Sequence, residues 1–239
     1  MKKILFIFLV LLTTGAYAQN SNSSKSFFNG AYVGIDVGKA KARDYGYEVS
    51  ADHVINDKKL NGNIYGLHLG YNFSLTKDFY FSPVLEYKKG QDLRSDWNAQ
   101  LLNGVPSVPC NFCIKTTFNH STSLLGKVGY LLDEKNSINI AGGWTDVNLT
   151  RGVKFDDSER VGIPNFIFNV IDKLHSVPTY GIGYERIYDD KFSFVVDYRY
   201  LKSPTRKSSA DIRSAQIRGF QEFYSYRQET ITAGINYRF

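Results

Sequence analysis

The strongest constraint on this chain is a strict alternation of apolar and polar side chains that recurs in eight separate segments. In the first segment, Ala31, Val33, Ile35 and Val37 occupy every second position, with polar residues or glycine between them. Successive side chains of a β-strand point to opposite faces, so this period predicts strands with one apolar face. The eight segments lie at residues 31–38, 64–73, 79–88, 122–132, 138–144, 180–185, 192–200 and 231–239.

The connections between these segments alternate between short and long. Three are tight and polar, at 76–78, 133–137 and 189–191. Four are long, near 43–60, 90–115, 151–175 and 204–225. This asymmetry predicts an all-β fold, an eight-stranded antiparallel transmembrane β-barrel with short periplasmic turns and four long extracellular loops. A soluble β-sandwich is the competing interpretation, but it predicts mixed connection lengths and fewer aromatic residues at strand ends.

Composition and the N-terminus favour the membrane barrel. The chain has 17 Tyr and 17 Phe against one Met, a balance that fits the aromatic girdles of such barrels. Lys2 and Lys3 precede the apolar run 4–12, and Ala16 and Ala18 suit a signal peptidase site. We therefore expect residues 1–18 to be a cleaved signal peptide and 19–239 to form a single barrel domain, the alternative for the leader being a buried helix.

Several short motifs resemble the small OmpA-like and opacity-type outer-membrane barrels of Gram-negative bacteria. They occur at 30–34, 66–73, 197–200 and 234–239. The alternating C-terminal residues Ile235, Tyr237 and Phe239 resemble the signal by which the barrel-assembly machinery recognises its clients, so this machinery is an implied partner. The resemblance also implies the cell outer membrane as the location.

Six charged or titratable residues fall on the inward face at a similar predicted depth. They are Asp36, His68, Glu86, Lys127, Asp197 and Arg199. The lumen of an eight-stranded barrel is just filled by side chains, and buried charges must be paired, so we expect a salt-bridged plug. The turn length places His68 opposite or diagonal to Glu86, and protonated His68 would balance three carboxylates against two cations. Gated conductance through rearranged pairs is the alternative, as proposed for OmpA-like barrels.

Two smaller constellations carry alternative chemistry. His120 and Thr122 face outward near Asp146, which resembles the lipid-facing His-x-Ser pair and carboxylate of lipid A deacylases, although Thr replaces Ser and Asp replaces Glu. Cys110 and Cys113 are the only cysteines, and in an oxidising envelope we expect them to form a disulfide. A redox motif or part of a zinc site is the alternative, but the sequence indicates no complete metal site and no cofactor.

These observations predict a monomeric, non-enzymatic surface barrel with a structural or interaction role. The mild positive charge fits contact with lipopolysaccharide and other outer-membrane lipids better than nucleic-acid binding, and the loops are candidates for binding a host or other surface ligand. A small-solute or ion porin is the second hypothesis. A lipid A-modifying enzyme using His120, Thr122 and Asp146 is the third.

Overall fold

Eight long antiparallel strands form the protein. The computed structural model describes residues 29–48, 53–95, 98–99, 101–102, 105–106, 112–155, 166–209 and 221–239. The long strands are β1 (Gly30–Glu48), β2 (His53–Ser74), β3 (Phe79–Arg94), β7 (Phe112–Leu131), β8 (Asn136–Phe155), β9 (Phe166–Ile187), β10 (Phe192–Lys202) and β12 (Gln221–Arg238). Four short strands lie in the connections: β4 (Asn98–Ala99), β5 (Leu101–Leu102), β6 (Val105–Pro106) and β11 (Arg206–Ser209). The predicted signal peptide, 1–18, lies outside the described residues.

The sheet closes on itself. Its strands follow the order β1-β2-β3-β7-β8-β9-β10-β12, and β1 also pairs with β12. This closing ladder runs from Tyr32 opposite Arg238 to Glu48 opposite Glu222. In the half of the barrel nearest the three short turns, each long strand is paired on both sides, so the described sheet has no open edge there. The predicted eight-stranded antiparallel barrel is therefore confirmed.

Each of the three short turns is held by one side chain that caps two backbone amides. Thr76 Oγ1 accepts from the N–H groups of Asp78 and Phe79, at 3.2 and 3.1 Å. Asp133 Oδ1 and Asp189 Oδ1 each accept from the N–H groups two and three residues further on, at 2.7 to 2.9 Å. The bonds to the charged form lower the pKa of the exposed Asp133 carboxyl. The polar turn residues predicted from the sequence therefore have a specific structural use.

The strands are longer than the sequence segments predict. The alternation suggests about ten residues per strand, whereas β2 and β9 each have 22. Strand β1 continues to Glu48 and β2 begins at His53, so most of the predicted first loop, 43–60, is strand. The physical reason is a reversed pattern: beyond the membrane the apolar residues face inward and the polar ones face water.

The outer wall of the lower half of the barrel carries a continuous apolar belt. Exposed apolar side chains on all eight long strands form it, among them Ile35, Leu67, Phe81, Val128, Ile140, Ile182, Phe194 and Ile235. Twenty residues of tilted strand rise about 50 Å, against about 25 Å for the apolar band of such barrels. The strands therefore extend well beyond the belt on the side opposite the three short turns. Within the described residues, no helix is long and apolar enough to cross a membrane.

We predict that the folded protein migrates differently on a gel before and after boiling. Opening a closed barrel exposes all its ladder hydrogen bonds at once, so the barrel should stay folded in mild detergent until it is heated. Membrane-extracted protein should run at two positions in unboiled and boiled samples. Identical migration of the two samples would contradict closure between β1 and β12.

Candidate functional site

The lumen is the place where charged side chains converge, and side chains fill it in three zones. The charge layer lies at the depth of the belt. It consists of Asp36, His68, Glu86, Lys88, Lys127, Asp197 and Arg199, all of them buried. The base lies towards the short turns, and the outer core lies towards the far ends of the strands. Every second residue of each strand points into the lumen. Successive inward residues therefore form successive layers of side chains along the barrel axis.

One half of the charge layer is centred on His68. Its Nδ1 lies 3.1 Å from Asp36 Oδ2, and its Nε2 lies 2.7 Å from Asn236 Oδ1. Lys88 Nζ lies 3.1 Å from Glu86 Oε2 and 4.0 Å from Asp36 Oδ1. Strands β1, β2, β3 and β12 are thus joined across the lumen by charge-assisted contacts.

The other half of the layer is centred on Asp197. Lys127 Nζ lies 3.4 Å from Asp197 Oδ2, and Arg199 NH2 lies 3.0 Å from Asp197 Oδ1. Arg199 NH1 also donates to the carbonyl oxygen of Tyr198 at 3.2 Å. A carboxylate held between two cations is the arrangement that offsets the cost of burying all three groups.

The structure brings all six predicted lumenal residues into this layer, but it differs from the prediction in two respects. His68 is the direct register partner of Glu86, yet its side chain contacts Asp36 and Asn236 instead. Lys88 supplies the third cation, so His68 is not needed to balance the three carboxylates. The alternation of β3 alone was enough to identify Lys88 as lumenal, because it lies two residues from Glu86 and on the same face of the strand.

Glycines on the lumen wall make room for these side chains. A Cβ atom added to Gly34 would lie 2.2 Å from Asn236 Oδ1 and 2.4 Å from His68 Nε2. One added to Gly183 would lie 2.2 Å from Asp197 Oδ1. The side chains of His68, Asn236 and Asp197 therefore lie over glycines on the directly neighbouring strands.

The base is a second polar cluster that sequence reasoning missed as a site. Glu185 Oε1 accepts from Asn236 Nδ2 at 3.1 Å and from Arg238 NH1 at 3.2 Å. The hydroxyl of Ser193 donates to the same oxygen. Asn236 therefore links the base to the charge layer, because its Oδ1 faces His68 while its amide nitrogen faces Glu185.

The outer core is apolar and lies beyond the charge layer. It comprises Ala40, Ala42, Leu60, Ile64, Leu93, Phe118, Val147, Leu149, Leu174, Val177, Leu201 and Tyr226. Above these residues Asp44 is fully buried and paired with Arg151, with Nε to Oδ2 at 2.9 Å and NH2 to Oδ1 at 2.7 Å. The hydroxyl of Thr116 donates to Asp44 Oδ2 at 2.7 Å. Asp44 and Arg151 lie in stretches that the sequence assigned to loops, which is why this pair was not anticipated.

The structure brings the predicted lipid-facing residues His120, Thr122 and Asp146 only partly together. Thr122 and Asp146 are register partners on β7 and β8, and His120 lies two residues from Thr122. Asp146, however, accepts the N–H of Ser176 at 2.8 Å and pairs with His175 at 3.4 Å. Ser176 has a φ of 54°, at a register shift between β8 and β9, so Asp146 caps a β-bulge.

The remaining sequence candidates lie at the two ends of the barrel. Ile235 and Tyr237 face outward on β12, and the exposed Phe239 directly follows this strand at the lower rim. The Tyr237 and Phe239 rings meet edge to face, with centroids 5.1 Å apart. Cys110 lies outside the described residues, so the disulfide with Cys113 stays a prediction. In the part of the chain that the structure describes, no group of His, Cys, Asp or Glu is arranged to hold a metal ion.

Comparison with known proteins places the fold in a family. The family model of the outer membrane protein beta-barrel domain matches residues 5–239. The chain belongs to this outer-membrane β-barrel family. Its location is accordingly the cell outer membrane, with the apolar belt in the bilayer. No curated protein matches the sequence significantly.

Three solved structures are similar to this family member at low sequence identity. Ail of Yersinia pestis is 15% identical, with a TM-score of 0.39, and the match covers 88% of this chain and 99% of Ail. Neisserial surface protein A is 14% identical, with a TM-score of 0.40 and coverage of 88% and 97%. The N-terminal barrel of Pseudomonas aeruginosa OprF is 10% identical, with a TM-score of 0.40 and coverage of 88% and 99%.

We predict that Lys127→Ala destabilises the barrel by about 3 kcal/mol, the lower end of the cost of breaking a buried ion pair. The reason is that Asp197 stays buried and keeps only Arg199 as a partner. Urea unfolding in lipid vesicles measures the change. Lys127→Arg should lose less stability than Lys127→Ala, because it keeps a cation beside Asp197. The turn variant Lys191→Ala is the control and should change stability by less than about 0.5 kcal/mol.

We also predict that Phe239→Asp sharply lowers the amount of barrel in the outer membrane while export continues. Phe239 is 79% exposed at the lower rim, so a packing loss in the folded state would not explain the effect. Leu75→Asp is the matched control, because Leu75 is also exposed and belongs to a short turn. Cell fractionation compares the two variants. Equal outer-membrane levels of Phe239→Asp and wild type would contradict an assembly signal here.

Proposed function

We propose that this protein is a closed, non-enzymatic outer-membrane barrel with a structural and interaction role at the cell surface. Its partners in this proposal are outer-membrane lipids, lipopolysaccharide and a host or other surface ligand at the far ends of the strands. The barrel-assembly machinery is the partner during biogenesis, and the mature barrel acts as a monomer. The observation that carries the proposal is the filled lumen.

Two different barriers lie one behind the other along the lumen. The charge layer blocks the lower half with paired groups, and an ion entering it would have to break buried ion pairs. The outer core blocks the upper half with packed apolar side chains such as Phe118, Leu149 and Leu174, which exclude water and ions alike. Rearranging the ion pairs would open only the first barrier. This supports a structural barrel over a gated channel.

The use of Asp146 supports a non-enzymatic barrel. A lipid A-modifying site would need the carboxylate to orient His120 as a base for the Thr122 hydroxyl. Here the carboxylate caps the bulge at Ser176 and pairs with His175. His120 instead stacks on the ring of Tyr87, with centroids 5.7 Å apart. These contacts give Asp146 and His120 structural roles.

A small-solute or ion pore is the second candidate, and one observation favours it. Within the described residues, buried Arg199 Nε and Asn72 Nδ2 have no hydrogen-bond partner in the protein. Buried donors of this kind are usually satisfied by water. A hydrated charge layer would be a first step towards conduction, although the outer core would still have to open.

Conductance of the refolded protein in a planar bilayer tests the proposal. Wild type should show no steady conductance, because both barriers are closed. Phe118→Ala with Leu149→Ala weakens the outer core, and Lys127→Ala with Arg199→Ala weakens the charge layer. Each of these double variants should remain silent, and only their combination should conduct. Heat-modifiable migration verifies that each variant is folded, and steady conductance of wild type would favour the pore.

A further inference from the structure

The outer wall carries a row of four cations above the apolar belt. Arg43 on β1 is the register partner of Lys59 on β2 and of Arg227 on β12. Arg227 is in turn the partner of Lys202 on β10. The residues on either side of each of the four, where described, point into the lumen, so all four side chains face outward. Lys59, Arg227 and Lys202 are exposed and Arg43 is half-buried.

This arrangement is unfavourable for the isolated protein. Like charges directly opposite each other on neighbouring strands destabilise a sheet, and the exposed Arg227 and Lys202 form such a pair. Lys39 and Lys41 add two more exposed cations below Arg43 on the same face of β1. Glu229 lies opposite Lys41. It is the one acidic residue among the outward side chains that the structure describes at this level of β1, β2, β10 and β12. An anionic ligand would turn the repulsion into attraction.

The position of the row indicates what kind of anion it meets. Below it on the same strand faces are Val37 and Ile231, which are 65% and 60% exposed in the lipid-facing belt. Tyr198 and Tyr200 lie between the belt and Lys202, where aromatic rings mark a membrane interface. At about 2.5 Å of rise per residue, the row lies roughly 5 to 15 Å above the last apolar side chains. This is the depth of lipid headgroups.

We propose that the row, which we call the cationic row (Lys59, Arg43, Arg227 and Lys202), binds the phosphorylated headgroup of an outer-leaflet lipopolysaccharide molecule. Adjacent strands lie about 4.8 Å apart, so the four cations span about 14 Å, enough to contact more than one phosphate of a single headgroup. Arginine offers a bidentate fork for phosphate, and the lysines add point charges on either side. The row faces sideways into the leaflet, which favours a lipid over a soluble polyanion that would approach the strand ends.

Lipid retention by the full mature barrel tests this assignment. The protein is reconstituted in phosphatidylcholine vesicles that contain lipopolysaccharide, and in matched vesicles with dephosphorylated lipopolysaccharide. Lipid that remains bound after extraction in mild detergent is counted by native mass spectrometry. Wild type should retain phosphorylated lipopolysaccharide and release the dephosphorylated form. The variant Lys202→Gln with Arg227→Gln should retain on the order of tenfold less, since each cation near an anionic headgroup contributes roughly fivefold before screening.

A stability measurement gives a second readout, in which the unfolding temperature of the variant should shift in opposite directions in the two kinds of vesicle. In pure phosphatidylcholine vesicles, the same variant should unfold at a slightly higher temperature than wild type, because the repulsion between Arg227 and Lys202 is removed. In lipopolysaccharide vesicles it should unfold at a lower temperature, because the stabilising ligand is lost. The control, Lys77→Gln with Lys191→Gln, removes the same charge from two short turns at the other end and should leave retention unchanged.

Three outcomes would overturn the assignment. The first is equal retention by the row variant and the turn control. The second is equal retention of phosphorylated and dephosphorylated lipid by wild type. The third is protection of wild type by soluble heparin fragments but not by lipopolysaccharide, which would assign the row to a soluble polyanion. The inference rests on the proposed role in lipid contact. The conductance test reports on the lumen alone, so the two failures are distinguishable.

Discussion

Closure of the sheet between β1 and β12 is the constraint on which the rest of the structure depends. A bilayer offers no water to satisfy backbone N–H and C=O groups, so a sheet that crosses it must pair both of its edges. The ladder from Tyr32 to Glu48 meets this requirement with the last strand of the chain. It also brings Asn236 and Arg238 beside residues of β1, although they are about two hundred residues apart in sequence. The lumen and its contents exist only because the first and last strands meet.

A closed eight-stranded wall then determines what the interior can contain. The lumen is only wide enough for side chains, and any charge in it is removed from bulk water. The charge layer meets this condition by mixing carboxylates and cations from five strands, with Asp197 between Lys127 and Arg199 as the clearest case. The outer core meets it by excluding charge altogether. Asp44 and Arg151 form a two-bond pair in the same half of the barrel, and the Thr116 hydroxyl donates to the same Asp44 carboxylate.

The outer wall faces two solvents, and the side-chain pattern reverses where they meet. In the belt, apolar residues such as Val37 and Ile231 face outward and polar ones face inward. Above the belt the apolar residues turn inward as the outer core, while Lys59, Arg227 and Lys202 face outward. The cationic row lies at this reversal. Its exposed Arg227 and Lys202 are like-charged register partners, an unfavourable contact in the isolated sheet that supports the proposed anionic ligand.

The sequence by itself determined the barrel, its strand number and the inward or outward orientation of almost every residue in the belt. Period-2 alternation is a local property, and the three capped turns that join neighbouring strands are encoded at Thr76, Asp133 and Asp189. The inward orientation of the six lumenal residues followed from the same alternation. Only the tertiary structure decided their partners, because His68 and Glu86 share a register position while the His68 ring turns to Asp36 and Asn236. Only closure revealed the row from Lys59 to Lys202, since a register across four strands depends on contacts that no local pattern contains.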